Sequence, residues 1–155
     1  MEILHNSMIS SAAKGHAYLI INHAVPVRAR IFREKGPDDK KCPVCRGEEE
    51  TIAHLYQDCP ETRKVWQALR EVLREKKEFN LPERTLVEQL NSATQKEEFH
   101  SSSISIIAWW HIWRRRNRVC FQNEKPTPPG VVAHAILIEY ELSIKAKASL
   151  SRTPL

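Results

Sequence analysis

The chain has 155 residues, of which 41% are hydrophobic and 28% charged, a length and composition that suit one domain with a hydrophobic core. No apolar run is long enough to span a membrane, and the N-terminus lacks the charged and apolar regions of a secretory leader, so we expect no membrane contact. The net charge of +5 is compatible with nucleic acid or an acidic protein partner and establishes neither.

The first part of the chain predicts two helices and a turn. Alanine and aliphatic residues indicate a helix over about residues 11–23, although Gly15 weakens it. Pro26 suits the first turn of a second helix, which Gly36 ends. The polar residues 36–41 then form a turn that leads into a cysteine cluster.

That cluster has the spacing of a metal site. Cys42, Cys45, His54 and Cys59 form a Cys-x2-Cys-x8-His-x4-Cys pattern. Three thiolates and one imidazole are a complete tetrahedral set for zinc. Because all four positions are protein ligands, no position stays open for water, and we predict a structural Zn²⁺ in a zinc knuckle over residues 42–59.

Cys-x2-Cys has an alternative interpretation as a redox pair, with His54 an ordinary surface histidine. A redox motif of the thioredoxin type accompanies a strand–helix–strand pattern, which this sequence lacks. Three metal-bound cysteines also indicate a reducing compartment, the nucleus or the cytoplasm. We expect the fourth cysteine, Cys120, to be a small buried hydrophobic residue rather than a reactive thiol.

The residues after Cys59 predict an amphipathic helix. Asp58, Pro60 and Glu61 are typical of a helix start. One apolar face follows, formed by Val65, Trp66, Leu69, Val72 and Leu73. A second face carries the row Arg63, Arg70, Arg74 and Lys77. Nearby glutamates favour a solvated, ion-paired face over a phosphate-binding one.

Two further helices are predicted in the second half of the chain. Thr85 and Glu88 form a capping-box pattern for a short helix through about Leu90. A long helix over about residues 97–121 should bury one stripe, with Trp109 at its edge and Arg114, Arg115 and Arg118 pointing outward. The stripe consists of Ile106, Trp110, Trp113, Asn117, Cys120 and Phe121.

The end of the chain predicts a proline-rich linker at residues 124–130, a final helix at 131–150 and a disordered tail at 151–155. We expect the main apolar face of that helix to be Val131, Ala135, Ile138 and Leu142. No stretch alternates like a strand. The predicted fold is therefore all-α, a small helical domain of residues 1–123 with one zinc knuckle, followed by the linker and the C-terminal helix.

Several of these residues also follow a family pattern. The first part of the pattern is matched by Cys42, Cys45, Glu50, Thr51, His54, Cys59, Pro60 and Trp66. The second part is matched by Ile112, Trp113, Arg116, Asn117 and Phe121. Together they resemble the zinc-binding domain of plant LINE-type (non-LTR retrotransposon) reverse transcriptases, although Val27 replaces a usual threonine upstream. The resemblance implies a stand-alone, retroelement-derived product, and makes the Arg116–Asn117 pair a structural one.

The sequence predicts no enzyme and no small-molecule substrate, because it has neither a carboxylate set for two metal ions nor a glycine-rich phosphate loop. One functional class is then a nucleic-acid-binding module, as the resemblance implies. Its basic candidates are Lys40, Lys41, Arg46, Arg114, Arg115 and Arg118. Residues 42–59 carry the four predicted ligands and are called the metal loop below. Three glutamates in this loop, at positions 48–50, oppose phosphate binding there.

The other class is an interaction module in which zinc only stabilises the fold. A homodimer or a complex with another protein would bury the surplus apolar surface of the last two helices. The interface candidates are Trp109, Trp110, Trp113, Ile136 and Ile138. The residues alone favour this second class, whereas the resemblance slightly favours the first.

Overall fold

The computed structural model describes residues 9–92 and 99–152, and six α-helices account for most of them. The helices are α1 (Ser11–Ile21), α2 (Arg28–Ile31), α3 (Pro60–Glu75), α4 (Leu86–Ser92), α5 (Phe99–Gln122) and α6 (Pro129–Arg152). A single antiparallel bridge joins Lys41 and Glu49, and the described residues contain no strand. The all-α prediction is confirmed. None of the described helices is long and apolar enough to cross a bilayer.

Helix α5 forms the centre of the fold. It packs against α1, α4 and α6, while α6 also packs along α3. Every residue from 102 to 109 on α5 is buried, so this part of the helix is covered on all sides. The C-terminal half of α5 reaches the metal loop, which places that loop against the core.

The ends of two helices are fixed by local side-chain caps. The Ser10 hydroxyl accepts a hydrogen bond from the Ala13 N–H at 3.1 Å and caps α1. At α4 the Thr85 N–H donates to the Glu88 carboxylate at 2.7 Å, and the Glu88 N–H donates to the Thr85 hydroxyl at 3.2 Å. The predicted capping box is therefore confirmed.

The predicted apolar face of α3 is also confirmed. Its members are all buried: Val65, Trp66, Leu69, Val72 and Leu73. The indole N–H of Trp66 donates to the carbonyl oxygen of Tyr56 at 2.9 Å, which ties α3 to the turn that precedes it.

The predicted face of α6 is wrong. Val131, Ile138 and Leu142 are 57%, 58% and 61% exposed. The neighbouring stripe of Val132, Ile136 and Tyr140 faces the core instead. Both stripes have helical spacing, so the packing against α3 and α5 decides which one is buried.

The prediction for the tryptophans is reversed as well. Trp109 is 1% exposed, and its indole N–H donates to the Gln89 side-chain oxygen at 2.9 Å. Trp110 and Trp113 are only half-buried. Because Trp109 and Ile136 lie inside the core of one chain, they are not available to an interface between chains.

Four further expectations fail near the ends of α5 and α6. Cys120 and Asn117 are half-buried rather than buried, and Phe121 is exposed, since α5 extends past its packing partners there. Helix α6 extends to Arg152, so residues 151–152 are helical where a disordered tail was predicted. The rest of that tail, and the first residues of the predicted long helix, lie outside the described residues.

Candidate metal centre

The first two ligands are brought together by a tight turn. The Cys42 N–H donates to the Glu48 carbonyl at 2.8 Å, and the Arg46 N–H donates back to the Cys42 carbonyl at 2.8 Å. Arg46 has a φ of 60°, a left-handed conformation that is uncommon for a residue with a side chain. This turn folds Cys45 back towards Cys42.

The other two ligands lie on a π-helical turn, His54–Asp58. The Cys59 N–H donates to the His54 carbonyl at 2.7 Å, the i→i−5 bond that defines such a turn. The Thr51 hydroxyl accepts from the His54 N–H at 3.0 Å and fixes its start. A wider turn than an α-helical one therefore places His54 and Cys59 on the same side.

The four ligand atoms form one cluster. The sulfurs of Cys42, Cys45 and Cys59 and a ring nitrogen of His54 all lie within 4.8 Å of one another, and Cys45 Sγ is 3.4 Å from His54 Nε2. Sulfurs on one tetrahedral zinc ion, with Zn–S bonds of about 2.3 Å, would be about 3.8 Å apart. The donor types and their spacing therefore fit Zn²⁺.

The protein itself favours the thiolate form of one ligand. A hydrogen bond from Cys42 lowers the pKa of Cys59 to about 5, and the N–H groups of Thr62 and Glu61 at the start of α3 lower it further. The same hydrogen bond, together with burial, raises the pKa of Cys42. This shift favours the thiolate form of Cys59, the form in which cysteine binds a metal ion.

A buried ion pair connects the metal loop to α5. The Glu50 carboxylate accepts from Arg116 Nε at 2.8 Å and from Arg116 Nη2 at 2.7 Å. The same carboxylate accepts from the Arg28 N–H at 2.8 Å, which attaches α2 to the loop. Arg116 also donates to the Asn117 side chain at 3.1 Å and lies over the Trp113 ring, 4.9 Å from its centroid.

These positions agree with the comparison against known families. Residues 1–66 match the family described as zinc-binding in reverse transcriptase. This region is therefore similar to the zinc-binding domain of that family. No curated protein and no solved structure matches the chain.

The zinc-binding domain completes its core with residues beyond the matched region. Glu50 and Arg116 are the two charged residues of the resemblance pattern given above, and they pair with each other. The presence of one acidic and one basic residue in the same family pattern could have predicted this ion pair, but the pair was not predicted. Zn²⁺ bound here would supply folding free energy, because all four ligands come from the protein.

Arg115 corrects one prediction about the basic residues. It was expected to point outward, yet it is 3% exposed. Its guanidinium donates to the Thr127 carbonyl at 2.8 Å and to the Glu61 carbonyl at 3.2 Å. It thereby joins α5, the start of α3 and the segment before α6.

Arg115 also lies near the thiolates of the zinc-binding domain. Burial lowers the pKa of Arg115, and the charges of Glu61, Cys59 and Cys42 act in the opposite direction. One zinc ion with three thiolates would carry one net negative charge, and the buried guanidinium of Arg115 would partly offset that charge through space. No sequence pattern distinguished Arg115 from its neighbours in the RRRNR run.

The remaining basic candidates differ in how exposed they are and in whether they have a partner. Arg46 and Arg114 are exposed, and Lys41 is exposed beside Asp38 at 3.2 Å. Lys40 and Arg118 are half-buried, and Arg118 donates to the Thr127 hydroxyl at 3.5 Å. The exposed part of the RRRNR run is therefore much smaller than its sequence suggests.

Proposed function

We propose that the chain is a zinc-stabilised helical module that binds the phosphate backbone of nucleic acid through one face of α3. The observation that carries this proposal is the basic row, defined as Arg63, Arg70, Arg74 and Lys77. The row follows α3 from its first turn to the residue beyond its C-cap.

Most of the basic row has no acidic partner. Within residues 9–92 and 99–152, no carboxylate forms an ion pair with Arg70, Arg74 or Lys77, while Arg63 lies 3.8 Å from Asp58. The other ion pairs of α3 and its C-cap lie outside the row: Glu61 with Lys64 and Arg115, and Lys76 with Glu141. The sequence interpretation of an ion-paired face is therefore wrong for most of the row. Cations without partners can bind phosphates without breaking an existing pair.

The metal centre connects to this surface through the start of α3. Cys59 is both one of the four candidate ligands and the N-cap of α3, and Pro60 is the first helical residue. A metal ion bound by Cys59 would therefore fix the direction in which the row points. Arg46 and Arg114 are exposed and remain additional candidates for phosphate contacts.

The test is a pair of charge-matched double variants. Arg70→Gln with Arg74→Gln should weaken binding to a DNA duplex and reduce the slope of log affinity against log salt by about 2. Arg33→Gln with Lys35→Gln removes the same charge from exposed positions outside α3 and should leave the slope unchanged. Equal losses in both variants, or no salt-dependent binding by the wild type, would contradict the proposal.

A second candidate function, self-association, is favoured by the exposed stripe of α6. The stripe is defined as the exposed Val131, Ile138 and Leu142 together with the half-buried Ala135, and its 4-3-4 spacing is that of a coiled-coil seam. A second copy of the chain would cover it with an identical stripe. Light scattering should then give twice the 18.0 kDa chain mass for the wild type and a monomer for Ile138→Lys. A wild-type monomer at high concentration would rule this candidate out.

Both candidates describe a binding protein without catalytic activity. They also require reduced ligand cysteines, because a disulfide cannot bind zinc in this way. We therefore propose the nucleus or the cytoplasm as its location.

A further inference from the structure

The segment between α5 and α6 carries a Thr–Pro pair that the proposed function does not use. Residues 123–128 form no helix, and each of them is exposed or half-buried. Pro126 and Pro128, on either side of Thr127, have no N–H to donate. Among the described residues, the Glu124 N–H is the one backbone donor of 124–128 with a backbone acceptor, the Arg118 carbonyl at 3.3 Å. With so few backbone bonds, the segment can open locally while the helices on either side stay folded.

Two arginines of α5 contact Thr127. Arg115 Nε donates to its carbonyl oxygen at 2.8 Å, and Arg118 Nη1 donates to its hydroxyl at 3.5 Å. Among the described residues, that hydroxyl is the one acceptor of the Arg118 guanidinium. A guanidinium has five N–H donors, and a contact of this length is a weak bond. Most of the capacity of Arg118 to donate hydrogen bonds is therefore unused, next to the Thr127 hydroxyl.

The charge around Thr127 favours an added anion. Between positions 114 and 130 the chain has five basic residues and one acid, Glu124. Arg115 and Arg116 already pair with carboxylates from other parts of the fold. The other three basic residues, among them Arg118, therefore outnumber the one acid. A phosphate on the Thr127 hydroxyl would balance this excess of positive charge.

We propose that Thr127 is a phosphorylation site for a proline-directed Ser/Thr protein kinase and that Arg118 binds the phosphate. The residue before a proline favours an extended conformation, which suits the peptide groove of such a kinase. The kinase transfers the γ-phosphoryl group of ATP. The bond from the γ-phosphorus to the β–γ bridging oxygen breaks, a bond to Thr127 Oγ1 forms, the hydroxyl proton is released and ADP leaves. Because Arg118 already lies beside the acceptor oxygen, the phosphate would gain charge-assisted hydrogen bonds when the segment closes again.

The first test is phosphorylation of the folded, zinc-loaded protein. The chain has a second Thr–Pro pair, Thr153–Pro154, so Thr153→Val is the parent protein for every variant. A proline-directed kinase with MgATP should add one phosphoryl group to the parent, and peptide mass spectrometry should locate it at Thr127. Thr127→Val should take up none. Pro128→Ala keeps the acceptor hydroxyl and should lower the initial rate about tenfold, because it removes the side chain that such kinases select.

A second readout follows the phosphate itself. In a phosphorus NMR titration, Arg118 should hold the second pKa of the phosphothreonine below its usual value of about 6. Arg118→Gln should return that pKa to the usual value. The matched control, Arg114→Gln, removes the same charge from an exposed position one turn earlier on α5 and should leave the pKa lowered.

Two outcomes would overturn the proposal. Absence of phosphate at Thr127 in the folded parent would show that the segment is closed to the kinase. Equal phosphate pKa values in Arg118→Gln and Arg114→Gln would show that Arg118 does not bind the phosphate. Both measurements are independent of duplex binding, so the proposed function of the basic row is tested separately.

Discussion

The Glu50 carboxylate and the Arg116 guanidinium form a two-bonded ion pair 66 residues apart in sequence, with side chains 0% and 2% exposed. Glu50 lies between the second and third metal ligands, and Arg116 lies on α5, outside the matched region. The pair therefore joins the zinc-binding domain to the helical core at a point where water does not screen the charges.

Breaking that pair should be strongly destabilising. We expect Glu50→Ala or Arg116→Ala to lower the free energy of unfolding by about 3–5 kcal/mol, because each leaves one buried charge without its partner. Urea denaturation of the zinc-loaded protein measures the loss. The double variant Glu50→Leu with Arg116→Met removes both charges and should lose less than either single variant. A cost below about 1 kcal/mol for either single substitution would be incompatible with a buried pair.

Metal content should depend on the four ligands and not on the fourth cysteine. We expect one zinc ion per folded chain, and Cys45→Ser should lose the ion and unfold the metal loop, because zinc binding is coupled to folding. Cys120→Ser is the control and should keep a full equivalent, since Cys120 lies outside the ligand cluster. Elemental analysis of protein purified without chelator decides the question. Less than half an equivalent in folded wild-type protein would refute the site.

Removal of the buried counter-ion should weaken zinc binding. Arg115→Met keeps most of the side-chain volume but loses the positive charge, and we expect zinc affinity to fall by roughly 10–100-fold. Arg114→Met changes an exposed neighbour and should leave the affinity unchanged. Competition with a chromophoric chelator measures both variants. Equal affinities for the two would show that Arg115 only connects helices.

Acid should destabilise the fold through His16. The buried His16 ring packs against Trp113 and shares a hydrogen bond with the Tyr56 hydroxyl. Burial lowers the pKa of this histidine from 6.5 to about 4. The unfolded chain therefore binds more protons between these two pKa values. The contribution of neutral His16 is complete above about pH 6.5 and is lost as the pH falls towards 4. Linkage gives a loss of about 2 kcal/mol between pH 7 and pH 5.

The variant His16→Gln isolates that contribution. It cannot gain a proton in this range and keeps all zinc ligands, so the acid sensitivity of the metal site is common to both proteins. As the pH falls from 7 to 5, the unfolding free energy of the wild type should fall by more than that of the variant, so the value for the wild type minus the value for the variant should decrease. A difference that stays constant with pH would show that His16 does not titrate differently in the folded state.

The sequence by itself determined the features that depend on neighbouring residues. The ligand spacing of Cys42, Cys45, His54 and Cys59 predicted the metal cluster, because a short loop limits how far its side chains can separate. The Thr85–Glu88 capping box and the single apolar face of α3 were likewise predicted, since each depends on contacts within one or two helical turns.

Only the tertiary structure decided which of several equivalent surfaces is buried. Helix α6 has two apolar stripes, and the one with Ile136 is covered because α3 and α5 pack against that side. Three consecutive arginines on α5 are chemically alike, but Arg115 and Arg116 turn inward because Glu61 and Glu50 meet them there, while Arg114 stays in solvent. A local pattern contains no information about such distant partners, and in a low-dielectric interior those partners determine where each charge can lie.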